Sequence, residues 1–275
     1  MTAAVDDDPD LEFAEDDLDA EATGWRAVLA AGWFKSLISL AVGLGIWELI
    51  GRVFVTDRTF FVPFSTAMQS LWDNLIHGDL LGDIRTSLIE LLGGFGLAVV
   101  IGIGVGAAMG LSPKIRSALI FWVDFFNATP VLALAPLFIL ALGIGMSSKI
   151  AFIAFVAVWT ILLNTMTGFL HPDEGMLEMV SSFGATPWQR MRLVRIPFAI
   201  PSISVGLRVG VGRAVVGIVV GELFGSSSGV GYFLFSSRDQ FDTAGIFAAI
   251  VVLAVMALVA VNLMALLERR LSRWR

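Results

Sequence analysis

Glu178-Met-Val-Ser-Ser-Phe-Gly-Ala-Thr-Pro-Trp-Gln-Arg-Met-Arg-Leu-Val-Arg-Ile-Pro197 is a long polar stretch set between two strongly apolar ones, and it carries Arg190, Arg192 and Arg195. The residues predict two short helices broken at Gly184, where a missing Cβ permits a positive φ or a close backbone approach. Pro187 opens the second helix in its first turn, where an absent N–H costs nothing. Trp188, Met191, Leu193 and Val194 form a ragged apolar side on that helix, with the arginines spread between. The expected product is a compact, basic, partly greasy knob.

Working outward, 57% of the 275 residues are hydrophobic and 15% are charged. Soluble proteins average about 25% charged residues, and a soluble fold could not hide this much apolar surface. The net charge of −6 misleads, because the first 24 residues hold ten acids and no base, leaving 14 acids against 18 bases in the remainder. Cysteine is absent and the only histidines are His77 and His171, so disulfides, thiolate chemistry and a metal centre are not expected.

Residues 1–24 have too little apolar surface to offset the entropy of ordering, and they read as a solvated acidic tail without the basic start of a signal peptide. Residues 25–275 form the membrane domain. Trp25, Val28, Leu29 and Trp33 beside Arg26 and Lys35 suit an interfacial helix. Six stretches approach or exceed the ~20 apolar residues needed to cross a bilayer. They are 37–55, 88–111, 118–142, 150–170, 198–224 and 245–267. An even number of spans puts both ends on one side. The connections on the side of the Glu178 segment and the termini carry 11 bases and those opposite carry 4, so both termini and the knob are expected in the cytoplasm. Between the first two spans, Met68, Leu71, Trp72, Leu75 and Ile76 predict an amphipathic helix lying on the outer surface. The basic end, Glu268 to Arg275, suits contact with lipid headgroups.

The spans carry their own punctuation. Gly94, Ala98, Gly102, Gly106 and Gly110 recur every fourth residue, a row that lets another helix come close. Gly206, Gly210 and Ala214 form a second row, and Gly217, Gly221 and Gly225 a third. Pro130 and Pro136 predict a kink or local relaxation in the third span, placing it by a pathway. Charges at membrane depth are expensive, so Asp124, Arg208 and Arg213 are singled out, with Asp124 expected to pair with one arginine or an arginine to meet an anionic substrate. Glu222 closes the fifth span and is a candidate gate residue or an ordinary helix-end carboxylate. Together Asp124, Pro130, Pro136, Arg208, Arg213 and Glu222 are the candidate pathway residues. Gly225-Ser-Ser-Ser-Gly-Val-Gly231 and Gly143-Ile-Gly-Met-Ser-Ser-Lys149 lack the order of a phosphate-binding loop, so no ATP site is expected in this chain.

The opening stretch resembles the EAA loop of binding-protein-dependent ABC importer permeases, which reads Glu-Ala-Ala, three residues, Gly, nine residues, Ile-x-Leu-Pro. Glu178, Gly184, Val194, Ile196 and Pro197 stand at the matching places, while Met179 and Val180 replace the alanines. From about Trp47 onward the chain resembles permeases for nitrate, taurine and aliphatic sulfonates, through Ser181 to Thr186, Gly206-Leu207-Arg208, Gly221-Glu222 and Ser227 to Tyr232. The resemblance implies an all-α integral membrane fold of the type I ABC importer permease, with a coupling loop over 171–197. It also implies that Glu178, Ser182, Gly184, Ala185, Trp188, Arg192 and Pro197 engage an ATPase. The partners it implies are cytoplasmic ABC ATPase subunits holding ATP and Mg, an external solute-binding protein, a second copy of this chain and membrane lipid, with no nucleic acid. The chain itself would be a permease in the cell membrane and no enzyme. Permeases of this appearance also fit a neutral vitamin precursor as cargo, while an ion-driven secondary transporter would call for buried ion sites and inverted repeats, neither of which is clear. Deleting residues 2–23 is expected to leave membrane insertion intact and uptake within about two-fold of the full chain, measured in whole cells.

Overall fold

A computed structural model of the chain describes residues 32–54, 60–224 and 226–271. The acidic tail, most of the 25–35 segment, Gly225 and the last four residues lie outside them. The described residues are helical, with no strand among them. By its contacts the chain divides into two units, residues 1–66 and 67–275.

In the first unit, α1 (Gly32–Leu49) runs into a π-helical stretch, Ile50–Phe54. Its end is fastened to the following extended segment by side chains. Trp47 Nε1 donates to the Val62 carbonyl at 3.0 Å, and the indole meets the Phe64 ring edge-on at 5.2 Å. Glu48 accepts from the Ser65 amide and hydroxyl at 2.9 and 2.8 Å while pairing with Arg52. The amphipathic helix expected near the outer surface is α2 (Phe64–Ile76), which crosses the boundary between the units.

The second unit is built around α6 (Met146–Leu170). The most apolar window of α6 is 56% buried, against 28% for α3 (Leu80–Leu111) and α11 (Thr243–Leu271). The glycine row of α3 lies on one side of it. A Cβ at Gly94 would stand 2.6 Å from Ile153, at Gly102 2.8 Å from Ile161, at Gly106 2.5 Å from the Leu162 carbonyl and at Gly110 2.6 Å from Phe169. On the other side, α9 (Ile196–Leu223) presents Gly206 to Asn164 and Gly210 to Ile161, at 2.8 and 2.7 Å from a built Cβ. Lipid is as apolar as a leucine, so helices in a bilayer associate through van der Waals contact, which needs backbones this close. Leu91, Ala98, Ile153, Ala157, Ile161, Ala214 and Ile218 fill the seam.

The third apolar stretch, expected as one span over 118–142, is broken in two. Ser112 caps α4 (Pro113–Ala128), and α5 (Val131–Leu142) follows after a bend of 105°. Proline restricts the residue before it to extended backbone, and Thr129 sits at φ −70°, ψ 134°. The chain therefore turns at Pro130, whereas Pro136 is taken up inside α5. Among the described residues, α3, α6, α11 and the continuous helix Pro187–Leu223 are long and apolar enough to cross a membrane, with the α4–α5 pair a fifth candidate.

These contacts set opposite signs for two neighbouring substitutions. Gly106→Ala is expected to lower stability by about 1–3 kcal/mol through overpacking. Gly104→Ala, which meets nothing within 4 Å, is expected to be neutral or slightly stabilising. Thermal unfolding of the two variants in detergent micelles checks the contrast.

Candidate functional site

The knob begins where Asp173 caps α7 (Glu174–Ser182), its carboxylate accepting from the Met176 amide at 2.9 Å. α7 ends at Gly184, whose φ of +76° lies in the left-handed region. The Gly184 amide donates to the Ser181 carbonyl and the Ala185 amide to the Val180 carbonyl, at 2.9 and 3.1 Å. This pair of bonds satisfies the orphan carbonyls of a helix end and demands a glycine at the pivot. Two residues on, Thr186 and Gln189 form a reciprocal capping box, the Thr186 amide donating to Gln189 at 2.7 Å and the Gln189 amide to Thr186 at 3.3 Å. Pro187 opens α8 (Pro187–Arg190) at N1. The sequence expected this break and this proline.

The second helix of the knob is not separate. α8 passes through a π-helical stretch, Met191–Arg195, directly into α9, so the long apolar helix expected from Phe198 starts at Pro187. Pro197 has no amide to donate to Leu193 four residues back, and widening the helix accommodates its ring. Of the residues expected to engage an ATPase, Glu178, Ser182, Gly184, Trp188 and Arg192 are exposed and Ala185 and Pro197 half-buried. Phe183 and Trp188 stand out at 84% and 67% exposure, on a tip that the described residues leave uncovered.

The opposite end of the bundle holds a buried polar cluster that sequence reading largely missed. α10 (Val230–Asp239) begins there, and the amides of its first turn are satisfied by side chains from other helices. Gly229 donates to Asp83 at 2.6 Å, Val230 to Ser87 at 2.8 Å, and Gly231 and Tyr232 to Glu222 at 2.5 and 3.4 Å. The Ser87 hydroxyl donates to Glu222 at 2.6 Å. A Cβ at Gly229 would lie 2.3 Å from that carboxylate, and the φ there is +119°. Beside it, the Lys149 ammonium pairs with Glu90, which is fully buried, and donates to Ser226 at 3.0 Å. Lys149, expected in a connection, thus lies on the first turns of α6. Glu90 sits in a stretch taken as plain span, and its charge inside an apolar run was the signal available.

Glu222, a candidate pathway residue, is 2% exposed and bonded as described. Among the described residues Asp124 pairs with no arginine. Arg208 pairs instead with Glu268 of α11, a residue 60 positions on that the helical rows of α9 and α4 could not reveal. Asp124 and Arg213 are both exposed, and neither has a hydrogen bond or ion pair among the described residues. Pro130 and Pro136 are exposed at and after the 105° bend. A ring cluster of Phe121, Trp122, Phe125 and Phe126 on α4 continues to Phe155 and Trp159 of α6. No group of His, Cys, Asp or Glu suited to a metal occurs among the described residues.

Fold and sites together define a multi-pass helical membrane protein that carries a rigid, uncovered helix–turn–helix between two spans. The family described as the binding-protein-dependent transport system inner membrane component matches residues 98–273. The chain is 34% identical over 244 residues to the putative aliphatic sulfonates transport permease protein SsuC of Bacillus subtilis (strain 168), covering 89% of this chain and 88% of that protein. It is 36% identical over 239 residues to the riboflavin transport system permease protein RibX of Chloroflexus aurantiacus, covering 86% and 88%. Among solved structures, an inward-facing form of the MetNI methionine ABC transporter superposes with a TM-score of 0.63 at 18% identity, over 72% of this chain and 98% of that one. The chain belongs to the family of binding-protein-dependent transport system inner membrane components: it is an ABC transporter permease, and not an enzyme.

The buried cluster makes a sharp prediction. Lys149→Met leaves the buried Glu90 carboxyl without its partner, and is expected to cost about 3–5 kcal/mol. The double variant Lys149→Met/Glu90→Leu is expected to recover most of that loss, as read from unfolding midpoints in detergent.

Proposed function

We propose that this chain forms the translocation pathway of an ATP-driven importer for a small solute, a small anion such as a sulfonate, taurine or nitrate. The observation that carries the reading is the knob over 173–190, fastened by backbone motifs yet left with Phe183 and Trp188 uncovered. A cytoplasmic ABC ATPase subunit, holding ATP and Mg, grips that tip through Glu178, Ser182, Gly184, Ala185, Trp188 and Arg192, while Pro197 lies where the knob continues into α9. Two copies of the chain work with two ATPase subunits and an external solute-binding protein. The chain crosses the membrane six times, counting α1 and the α4–α5 pair, with both termini in the cytoplasm; the base count of its connections supports that side.

ATP binding draws the two ATPase subunits together, and the knobs follow. Because α8 runs on into α9 without a break, movement of the tip turns directly into movement of a membrane-spanning helix. The helices rock from inward-open to outward-open, the binding protein releases its cargo, and hydrolysis resets the cycle. Such coupling needs a contact whose strength differs between the two states. Arg213 and Asp124, unpaired among the described residues and within membrane-spanning segments, face the cavity or the second copy, since facing lipid is costly. A guanidinium in the cavity favours an anion, in keeping with the likeness to the sulfonate permease. The likeness to the riboflavin permease supports a second reading, a neutral vitamin-like cargo.

Gly184→Val forces a β-branched residue into left-handed backbone. It is expected to cut uptake by more than about ten-fold and to abolish ATPase capture on copurification, with membrane insertion and yield unchanged. Normal uptake by the variant would remove the coupling role.

A further inference from the structure

Behind the exposed tip, where α3 ends, lies a cavity of about 330 Å³ lined by Leu111, Leu177, Pro187, Arg190, Met191 and Arg195. Four of these residues are apolar and two carry guanidinium groups. No carboxylate lines the cavity, and neither arginine has an ion-pair partner among the described residues. Arg190 Nε is buried without a hydrogen-bond partner. A buried donor left unpaired costs free energy comparable to a lost hydrogen bond, and calls for an acceptor supplied from outside the chain.

We propose that this cavity binds the phosphate of an anionic phospholipid headgroup. Guanidinium groups match phosphate oxygens in geometry as well as charge, and two of them beside a single cavity favour a group with several acceptor oxygens. The apolar remainder of the wall suits an amphiphile better than a free ion. The location fits too: Leu111 is the last residue of a membrane-spanning helix, so the cavity opens at the depth where headgroups lie. Basic pockets between spans at a membrane face are an established kind of lipid site. The walls come from three places, with Leu111 on α3, Leu177 on α7, and Pro187 to Arg195 on the start of the long helix. An occupied cavity therefore ties the knob to α3. The inference needs the chain to span a membrane but does not need an ATPase to grip the knob.

The test uses the full chain alone, stripped of lipid in neutral detergent and exposed to mixed micelles of equal phosphatidylglycerol and phosphatidylcholine. Lipid retained after repurification is then quantified. The wild-type chain is expected to retain phosphatidylglycerol several-fold over phosphatidylcholine. Arg190→Gln/Arg195→Gln is expected to lose that preference, whereas Lys114→Gln, which removes an exposed nearby charge outside the cavity, keeps it. Leu177→Trp fills the space without removing either charge and is expected to reduce retention as well, which decides the matter should the double variant fail to fold. No preference in the wild type, or equal loss in the Lys114 variant, overturns the site. Displacement of the lipid by millimolar inorganic phosphate reassigns it to a free anion and overturns the lipid assignment. Because no ATPase is present, failure here leaves the coupling reading untouched, and failed ATPase capture by the Gly184 variant's parent chain would leave this one standing.

Discussion

The second unit depends on rows of missing side chains on α3 and α9 pressed against one helix. Ile161 of α6 touches Gly102 of α3 on one side and Gly210 of α9 on the other, and Ile153 bridges Gly94 and Gly217 in the same way. In water such a seam would be one contribution among many. In a bilayer burying leucine against leucine gains little over leucine against lipid, so the helices hold through dispersion contacts that only close backbones allow. The glycines leave α6 gripped along its length by α3 and α9.

The two ends of α6 are finished differently. At the Lys149 end, four amides at the start of α10 are satisfied by side chains from α3 and α9, and a charged pair between α3 and α6 is withdrawn from solvent. Charges there are acceptable because each meets a partner, and removing one strands another. Beyond the Leu170 end, about 30 Å away by helix rise, rigidity comes from backbone bonds at a glycine turn and a capping box, leaving the side chains free to face outward. One end locks a helix into the bundle, and the other presents a firm surface to whatever touches it.

Much of this was open to sequence reading, though unevenly. The break at Gly184, the opening at Pro187 and the four-residue row in α3 rest on local stereochemistry: a left-handed glycine, a proline at N1, a helical period. The local shape of the knob is legible for that reason, whereas the π-helical passage before Pro197 that joins it to α9 is not. Pro130 was recognised as a disturbance, but its consequence, a turn of 105°, depends on how α4 and α5 pack afterwards. The partner of Arg208 is not legible in the sequence, because a helical wheel orders residues on one helix and cannot name the helix it faces.

By itself the sequence determined that the chain is a membrane protein, that the backbone breaks at Gly184 and reopens at Pro187, which faces of α3 and α9 can approach a neighbour, and that a basic, half-apolar knob interrupts the spans. Those properties follow from apolar run length, from glycine and proline geometry, and from residues within a turn or two of one another. Only the tertiary structure decided that α6 is the neighbour the glycine rows of α3 and α9 share, that Glu222 meets Ser87 and Asp83 meets Gly229, and that Lys149 pairs with Glu90. These partners stand up to 146 positions apart, and a contact across that separation is chosen by the packing of whole helices rather than by any feature legible along the chain.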